Sequence, residues 1–260
     1  MSLQNLLSTG LEGDRINDLV KTAMNELQSD RDFDNYIGIV EESAEQVRPI
    51  FDSTSYFDEY RHIAENPDWF ATSLLKAAER EGEGATRLWA LSACSQDERE
   101  AELIKRHAID ESGHSVAYLS IFDYIFPDAV DPDFRKQLKA LSPYYKMSDT
   151  PHEGANKDYA HNPTIDDYIQ MNIAEIRTTI HHLLQREAIA IYCPEESRSR
   201  VNSLLDKLLR DELNHVAYTG ELIEEYIGRL GRDKVARLYQ RRLADFHDVT
   251  QEEVASAEFD

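Results

Sequence analysis

Two short stretches of the sequence repeat one pattern: residues 108–118 read AIDESGHSVAY, and residues 209–218 read LRDELNHVAY. Each places Asp-Glu-x-x-His shortly before Val-Ala-Tyr. In an α-helix, residues three apart lie about 60° apart around the axis and about 4.5 Å apart along it, so the Glu and His of each motif share one face. A pattern that occurs twice in matching surroundings indicates a shared role for the two copies.

The chain around the motifs has the periodicity of helices. Apolar residues recur every three or four positions and alternation with a period of two is rare, so the sequence predicts an all-α protein. Four long helices are expected at 68–93 (helix A), 97–125 (helix B), 164–192 (helix C) and 195–228 (helix D). Shorter helices are expected at 14–28, 33–50, 132–140 and 232–247, with an aromatic turn at 51–60. Ser95 or Asp97 can cap helix B, and Thr164 can cap helix C.

Helices A–B and C–D form two helix pairs, which a long connection over residues 126–163 joins. This internal repeat predicts a four-helix bundle with one long crossover. We expect a single domain, with a helical extension at 1–65, the bundle at 68–228 and a further helix and tail at 229–260.

The composition excludes several classes of partner. The net charge of −22 disfavours binding to nucleic acid or to anionic membranes, because both need a basic surface. No run of 18 apolar residues is present, and the first residues lack the features of a secretory signal, so a cytoplasmic protein is expected. With only two cysteines, the chain has no disulfide framework.

Both motif carboxylates fall on apolar helical stripes. The stripe of helix B holds Ile104, Ala108, Glu111, Ser115, Tyr118 and Phe122; that of helix D holds Leu205, Leu208, Glu212, His215, Thr219, Leu222 and Tyr226. Burial of an unpaired carboxylate costs several kcal/mol, and neither stripe supplies an Arg or Lys. A bound metal ion would offset this cost, with the adjacent His114 or His215 as a further ligand.

Each helix pair should supply one more carboxylate, at the height of the motif Glu. For a turn at residue 96, the position opposite Glu111 is Glu81. Its neighbours Glu79 and Glu83 fall on faces with Lys76, Arg80 and Arg87.

In the second helix pair, for a turn at Pro194, the position opposite Glu212 is near Glu175. Glu187 is the rival on an apolar stripe, but it lies roughly 16 Å too far along the axis. His182 is also expected at the wrong height for a ligand.

The predicted metal ligands are therefore Glu81, Glu111, His114, Glu175, Glu212 and His215. Four carboxylates balance two divalent cations, and the mixture of carboxylate and imidazole suits iron or manganese. One Glu from each of two helices and Glu-x-x-His from each of the other two is a known pattern of bundle cores.

This pattern, over residues 68–228, resembles the ferritin-like di-iron carboxylate superfamily, and its spacing resembles the oxygen-activating branch. That branch includes multicomponent monooxygenases, ribonucleotide reductase small subunits and arylamine N-oxygenases. The resemblance implies an enzyme with two iron ions (Fe/Fe, or Mn/Fe) that uses dioxygen and an electron donor to oxidise a small organic substrate by N-oxygenation, hydroxylation or a related oxidation. The chain length is close to that of small stand-alone oxidases, for which a monomer or homodimer is expected.

The sequence departs from the sub-families at defined positions. Leu208 stands where N-oxygenases have an additional His, and Gly113 and Asn214 stand where multicomponent enzymes usually have Arg. Haem-oxygenase-like di-iron oxidases end on HxxxDxxxH, for which this chain offers Asp211 and His215 but Lys207. The sub-family stays open.

Four residues near the motifs are candidates for supporting roles. In such sites the Asp of DExxH commonly orients a ligand His, so Asp110 is expected on His215 and Asp211 on His114. Tyr118 and Tyr218 are hydroxyls close to the metals, redox-active residues, or plain core tyrosines.

The alternative function is iron handling, by a ferroxidase or storage protein that assembles into a shell. The roughly 60 residues before helix A and the aromatic segments LSPYYKM and KDYAHNP of the crossover favour the oxygenase, because a minimal storage bundle does not need them. Peroxide reduction of the rubrerythrin type is disfavoured, since the rubredoxin cysteines are missing.

Overall fold

The computed structural model describes residues 15–27, 31–129, 131, 133, 159–257 and 259. Its regular structure over these ranges is entirely helical, which confirms the all-α prediction. The α-helices are Arg15–Glu26 (α1), Asp34–Val47 (α2), Thr54–Ala64 (α3), Pro67–Cys94 (α4), Glu98–Ile125 (α5), Ile165–Tyr192 (α6), Arg198–Leu230 (α7) and Arg232–Ala255 (α8). In these ranges, no helix is long and apolar enough to cross a membrane.

The four long helices begin and end within three residues of the predicted positions, and their caps explain why. Asp97 caps α5, since its carboxylate accepts hydrogen bonds from the amides of Arg99 and Glu100. Thr164 precedes α6, and its hydroxyl accepts from the Asp167 amide at 3.4 Å while the Asp167 carboxylate accepts from the Thr164 amide at 2.8 Å. This reciprocal arrangement fixes the first turn of α6.

The predicted aromatic turn at 51–60 is wrong, because most of it is helix α3. A short 3₁₀ turn at Ile50–Asp52 precedes Ser53, whose hydroxyl caps α3 by accepting from the Tyr56 amide at 3.2 Å. The aromatic residues Tyr56, Phe57 and Tyr60 have helical spacing and are at most 2 % exposed. The helical spacing of these aromatic residues predicts helix α3, whereas their number in the segment does not.

Two further segments differ from the prediction or lie beyond it. Helix α8 continues to Ala255, whereas the sequence predicted an end at 247. The predicted helix at 132–140 falls, apart from residue 133, outside the described residues, as does the crossover segment LSPYYKM.

The chain divides into two compact units. Unit 1 consists of Met1–Asn66, Thr164–Ile189 and Leu205–Asp260, and unit 2 of Pro67–Pro163 and Ala190–Leu204. Each unit contains one of the two DExxH motifs. The single domain and the four-helix bundle stay predictions.

In unit 2, α4 and α5 form an antiparallel pair. Ser92 donates a hydrogen bond to the carbonyl oxygen of Ala101 at 2.8 Å, and Ser115 donates to that of Ala78 at 2.6 Å. Both pairs are equally spaced about the turn at residues 96 and 97. Glu81 and Glu111 lie within one residue of this register, as the sequence predicted.

In unit 1, a buried Asn joins four helices. Asn172 on α6 accepts hydrogen bonds from the hydroxyls of Tyr36 on α2 and Tyr239 on α8, each at 2.9 Å. Its amide nitrogen donates to the Val216 carbonyl oxygen at 3.1 Å and to the Thr219 hydroxyl at 2.9 Å, both on α7. All hydrogen-bonding positions of its side-chain amide are thereby used, so helices α6 and α7 are held in one register.

Candidate metal centre

Eight Glu and His side chains of the long helices form two buried sets, one in each unit. All of them are at most 9 % exposed: Glu81, His107, Glu111, His114, Glu175, His182, Glu212 and His215. Six are the predicted metal ligands, and their burial agrees with the stripes that the sequence predicted. The sequence does not predict His107 as a member of this set, and it predicts His182 at the wrong height for a ligand.

In unit 2, Glu81, Glu111 and His114 lie together. The Nδ1 atom of His114 is 3.4 Å from Oε1 of Glu111 and 3.7 Å from Oε2 of Glu81. Gly84, one turn after Glu81, lies against the motif carboxylate, since a Cβ there would be in van der Waals contact with Oε2 of Glu111, at 3.4 Å. Helix α4 therefore supplies a carboxylate to this set and a glycine beside the Glu111 carboxylate.

His107 adds a second imidazole to this set. It lies one turn before Glu111 on α5, is 1 % exposed, and its Nε2 atom is 3.4 Å from Oε1 of Glu111. Residues four apart on a helix are neighbours on one face, so the sequence contained this signal as His-x-x-x-Glu.

The Glu111 carboxyl contacts the three other Glu and His donors of unit 2. Burial alone would raise its pKa, but contacts with Glu81, His107 and His114 hold the pKa of this carboxyl well below its ordinary value. Glu111 is therefore ionised at neutral pH, which is the form that binds a metal ion.

Unit 1 repeats the arrangement with Glu175, Glu212 and His215. The Nδ1 atom of His215 is 3.0 Å from Oε2 of Glu212 and 3.6 Å from Oε2 of Glu175. As in unit 2, the motif His directs Nδ1 towards the carboxylates of both helices. Glu212 is fully buried, so an ionised carboxylate at this position needs compensation by a cation or by the surrounding donors.

His182 reaches Glu212, a contact that the sequence did not predict when it placed His182 at the wrong height for a ligand. Its Nε2 atom is 3.5 Å from Oε1 of Glu212, and the ring is 3 % exposed. Side chains lean towards the N-terminus of their own helix, so on antiparallel helices His182 and Glu212 lean towards each other. A comparison of backbone heights alone omits this lean.

The rival carboxylates lie away from these sets. Glu187 has a side chain that is 44 % exposed and accepts a hydrogen bond from Nε of Arg61 at 2.8 Å. Glu79 and Glu83 are exposed, as predicted, and Glu83 pairs with Arg87 at 3.3 Å. Among these glutamates, burial separates Glu81 and Glu175 from the rest.

The four residues that were expected in supporting roles have different surroundings. Tyr218 lies edge-on to the His215 ring, with ring centroids 6.4 Å apart, and its hydroxyl donates to the Met171 sulfur at 3.8 Å. Tyr118 is 2 % exposed. Asp211 is half-buried and forms an ion pair with Lys207, and Asp110 is half-buried. The orientation of a ligand His by either Asp stays a prediction.

The donor chemistry of these residues fits a metal ion. Buried carboxylates and imidazoles of the chain form groups that could hold one, and all eight residues except His182 belong to such groups. Each unit supplies two of these four carboxylates and two of these four imidazoles, all of them buried. Oxygen and nitrogen donors of this kind suit divalent iron, cobalt and manganese.

Comparisons of the chain with protein-family models, with curated proteins and with solved structures gave no match.

Proposed function

We propose that this protein is a ferritin-like, non-haem di-iron oxygenase or oxidase, which uses dioxygen and an electron donor to oxidise a small organic molecule. The observation that carries the proposal is the repeated donor set. Glu81, Glu111 and His114 in unit 2 have the same chemistry, helix positions and contacts as Glu175, Glu212 and His215 in unit 1.

The charge of the repeated set supports two divalent ions. Four carboxylates, two in each unit, balance the charge of two such cations. Without cations, the four buried carboxylates would carry a desolvation cost and would need protons, either on themselves or on the imidazoles beside them. A purely structural role for the repeat would have to bear this cost twice.

Iron is the metal with which this donor set best supports a reaction with dioxygen. Two ferrous ions, when bound, supply open coordination positions and two of the electrons for the reduction of dioxygen. The remaining contributions come from the chain itself.

The protein residues bind, orient and shield the ions. The carboxylates of Glu81 and Glu175 would hold the ions from α4 and α6, and those of Glu111 and Glu212 from α5 and α7. The motif histidines would bind through Nδ1. Apolar neighbours on the same stripes exclude water, and the edge of Tyr218 against His215 keeps that imidazole in place.

An oxidase is favoured over iron storage by the helices outside the donor sets. Helices α1, α2, α3 and α8 all belong to unit 1. The buried link from Tyr36 and Tyr239 to Asn172 connects two of these helices to the residue one turn before Glu175. A precisely held ligand set of this kind is worth more to catalysis than to bulk mineral uptake.

The test is iron loading under anaerobic conditions, followed by exposure to oxygen. We expect about two ferrous ions per chain and consumption of dioxygen by the loaded protein, as in a di-iron site. Light scattering on the same sample should give a monomer or a dimer. Uptake of many irons per chain by a large shell would replace the proposal with storage, and an absence of bound iron would refute it.

A further inference from the structure

We infer that His107 and His182 are additional metal ligands, His107 for an ion that Glu111 holds and His182 for an ion that Glu212 holds. The inference deepens the proposed function and rests on it. It changes the expected donor set from four carboxylates and two imidazoles to four carboxylates and four imidazoles.

The position of His107 supports a ligand role. Its Nε2 atom and the Nδ1 atom of His114 are both 3.4 Å from the same oxygen, Oε1 of Glu111. The two rings approach this carboxylate from one turn before it and from one turn after it on α5. An ion bound to Glu111 Oε1 would thus have two imidazole nitrogens within reach on a single helix.

His182 stands in the matching relation to Glu212. Its Nε2 atom is 3.5 Å from Oε1 of Glu212, while His215 presents Nδ1 to the other oxygen, Oε2, at 3.0 Å. In both units, therefore, the motif His presents Nδ1 and the additional His presents Nε2. The additional imidazole comes from α5 in unit 2 and from α6 in unit 1, so the chemistry repeats although the sequence position does not.

The separations fit common coordination better than direct pairing. Two donor atoms that each bind one ion at about 2.1 Å, at angles between octahedral and tetrahedral, lie about 3.0–3.4 Å apart. Charge-assisted hydrogen bonds from nitrogen to a carboxylate are shorter, at about 2.7–2.9 Å. The His107 contact, at 3.4 Å, lies at the upper end of the first range, and the His182 contact, at 3.5 Å, lies just above it. Both contacts are longer than the second range.

Two more imidazoles would alter the preference of the site among metals. Imidazole suits iron and cobalt better than manganese, for which oxygen donors are sufficient. Neutral imidazoles also leave the charge balance of four carboxylates and two cations unchanged. The inference therefore predicts selectivity for iron over manganese, which the six-residue set alone did not decide.

The test is an anaerobic titration with Co²⁺, monitored by its visible absorption, of the full chain and of the variants His107→Ala and His182→Ala. Each variant should lose about 100-fold in affinity for at least one cobalt ion. This loss is at or above the largest loss of metal affinity that removal of a ligand's hydrogen-bond partner usually causes. Affinity for Mn²⁺ should fall much less. Added imidazole should restore the cobalt spectrum in both variants, because the truncated side chain leaves space for it.

Matched controls come from histidines outside the donor sets. His181→Ala changes the residue next to His182 in the chain; the His181 ring packs on Tyr60, with ring centroids 5.0 Å apart. His161→Ala changes an exposed residue of unit 2. Neither should shift cobalt binding or respond to imidazole. If truncation to Ala impairs folding, His107→Gln and His182→Gln take the place of the Ala variants, because they preserve more of the side-chain volume. They should show the same selective loss of cobalt affinity.

The outcomes separate this inference from the proposed function. If the unmodified chain binds two metal ions and the variants keep its affinity and spectrum, the two histidines are not ligands although the proposed function stands. Equal losses for Co²⁺ and Mn²⁺ without imidazole rescue would indicate a packing role and overturn the inference. If the unmodified chain binds neither Co²⁺ nor Fe²⁺, both fail.

Discussion

Ser115 donates a buried hydrogen bond of 2.6 Å to the carbonyl oxygen of Ala78, and this bond sets the register of the first motif. Ser115 directly follows His114, and Ala78 lies one turn before Glu81. The bond therefore ties the helix that carries the motif to the helix that carries its partner carboxylate, next to both ligand candidates.

Unit 1 has a hydrogen bond between the corresponding positions, with donor and acceptor exchanged. Asn172 lies one turn before Glu175, and it donates to the carbonyl oxygen of Val216, which directly follows His215. The two helix pairs have thus kept one register although different side chains enforce it. This equivalence supports an internal repeat that extends beyond the motifs themselves.

The Asn172 network predicts a large loss of stability in Asn172→Ala. The variant would leave the Tyr36 and Tyr239 hydroxyls without the acceptor that they share in the core, so we expect the free energy of unfolding to fall by about 2–4 kcal/mol. Urea unfolding measures this quantity. Tyr36→Phe is the control, because Asn172 keeps its other partners, and it should cost about 1 kcal/mol. Similar costs for the two variants would contradict a shared network.

Substitution by alanine should have different effects at Gly113 and at Gly84, on stability at the first and on metal affinity at the second. At Gly113, which is exposed and has open space where the added methyl group would stand, alanine should raise the free energy of unfolding by up to about 1 kcal/mol through helix propensity. At Gly84 the added methyl group would be in van der Waals contact with Oε2 of Glu111, at 3.4 Å, so Gly84→Ala should leave less room for an ion at this oxygen and weaken cobalt binding by up to about 10-fold. Thermal unfolding and metal titration of both variants test this, and equal metal affinities would show that Glu111 can move without cost.

The ion pair of Asp166 and Arg242 predicts a stability that depends on pH. Arg242 donates to the carboxylate through Nε at 2.7 Å and through a second guanidinium nitrogen, which holds the pKa of Asp166 below its ordinary value. Because the folded-state pKa is lowered, the pair stabilises fully above about pH 5 and loses this effect as pH falls below about 4.

Urea unfolding of Asp166→Asn across this pH range provides the test. The variant should lose about 1 kcal/mol at pH 7, since the pair is partly exposed, and the difference from the unmodified chain should shrink towards pH 3. Asp245→Asn removes the more exposed partner of Arg242 and should have a smaller effect. A difference that is independent of pH would assign the loss to packing.

The sequence was sufficient for the long helices and for much of the donor arrangement because local signals agreed there. Asp97 and Thr164 mark helix starts, and the stripes around Glu111 and Glu212 predict burial by helical periodicity alone. Counting from the turns then placed Glu81 and Glu175 opposite the motifs. This step works in a straight antiparallel pair, where equal distance from the turn means equal height.

What the sequence did not provide depends on side-chain direction and on packing. The reach of His182 to Glu212 follows from the lean of both side chains, which a comparison of backbone heights omits. The role of Asn172 depends on Tyr36 and Tyr239, which lie more than sixty residues away in the chain. Such contacts become visible only when the helices are packed.

The donor sets predict that isosteric neutralisation of a buried motif Glu removes metal binding, whereas the same change at an exposed Glu does not. Glu111→Gln and Glu212→Gln keep the side-chain shape but lose the charge that an ion requires, so each should bind fewer than about two irons per chain. Glu83→Gln and Glu187→Gln are the matched controls on the partner helices, where both carboxylates are exposed and pair with Arg. Iron content after anaerobic loading and gel filtration measures the difference. Full iron content in Glu111→Gln would remove this residue from the site, and loss of iron in Glu187→Gln would reverse the choice of Glu175.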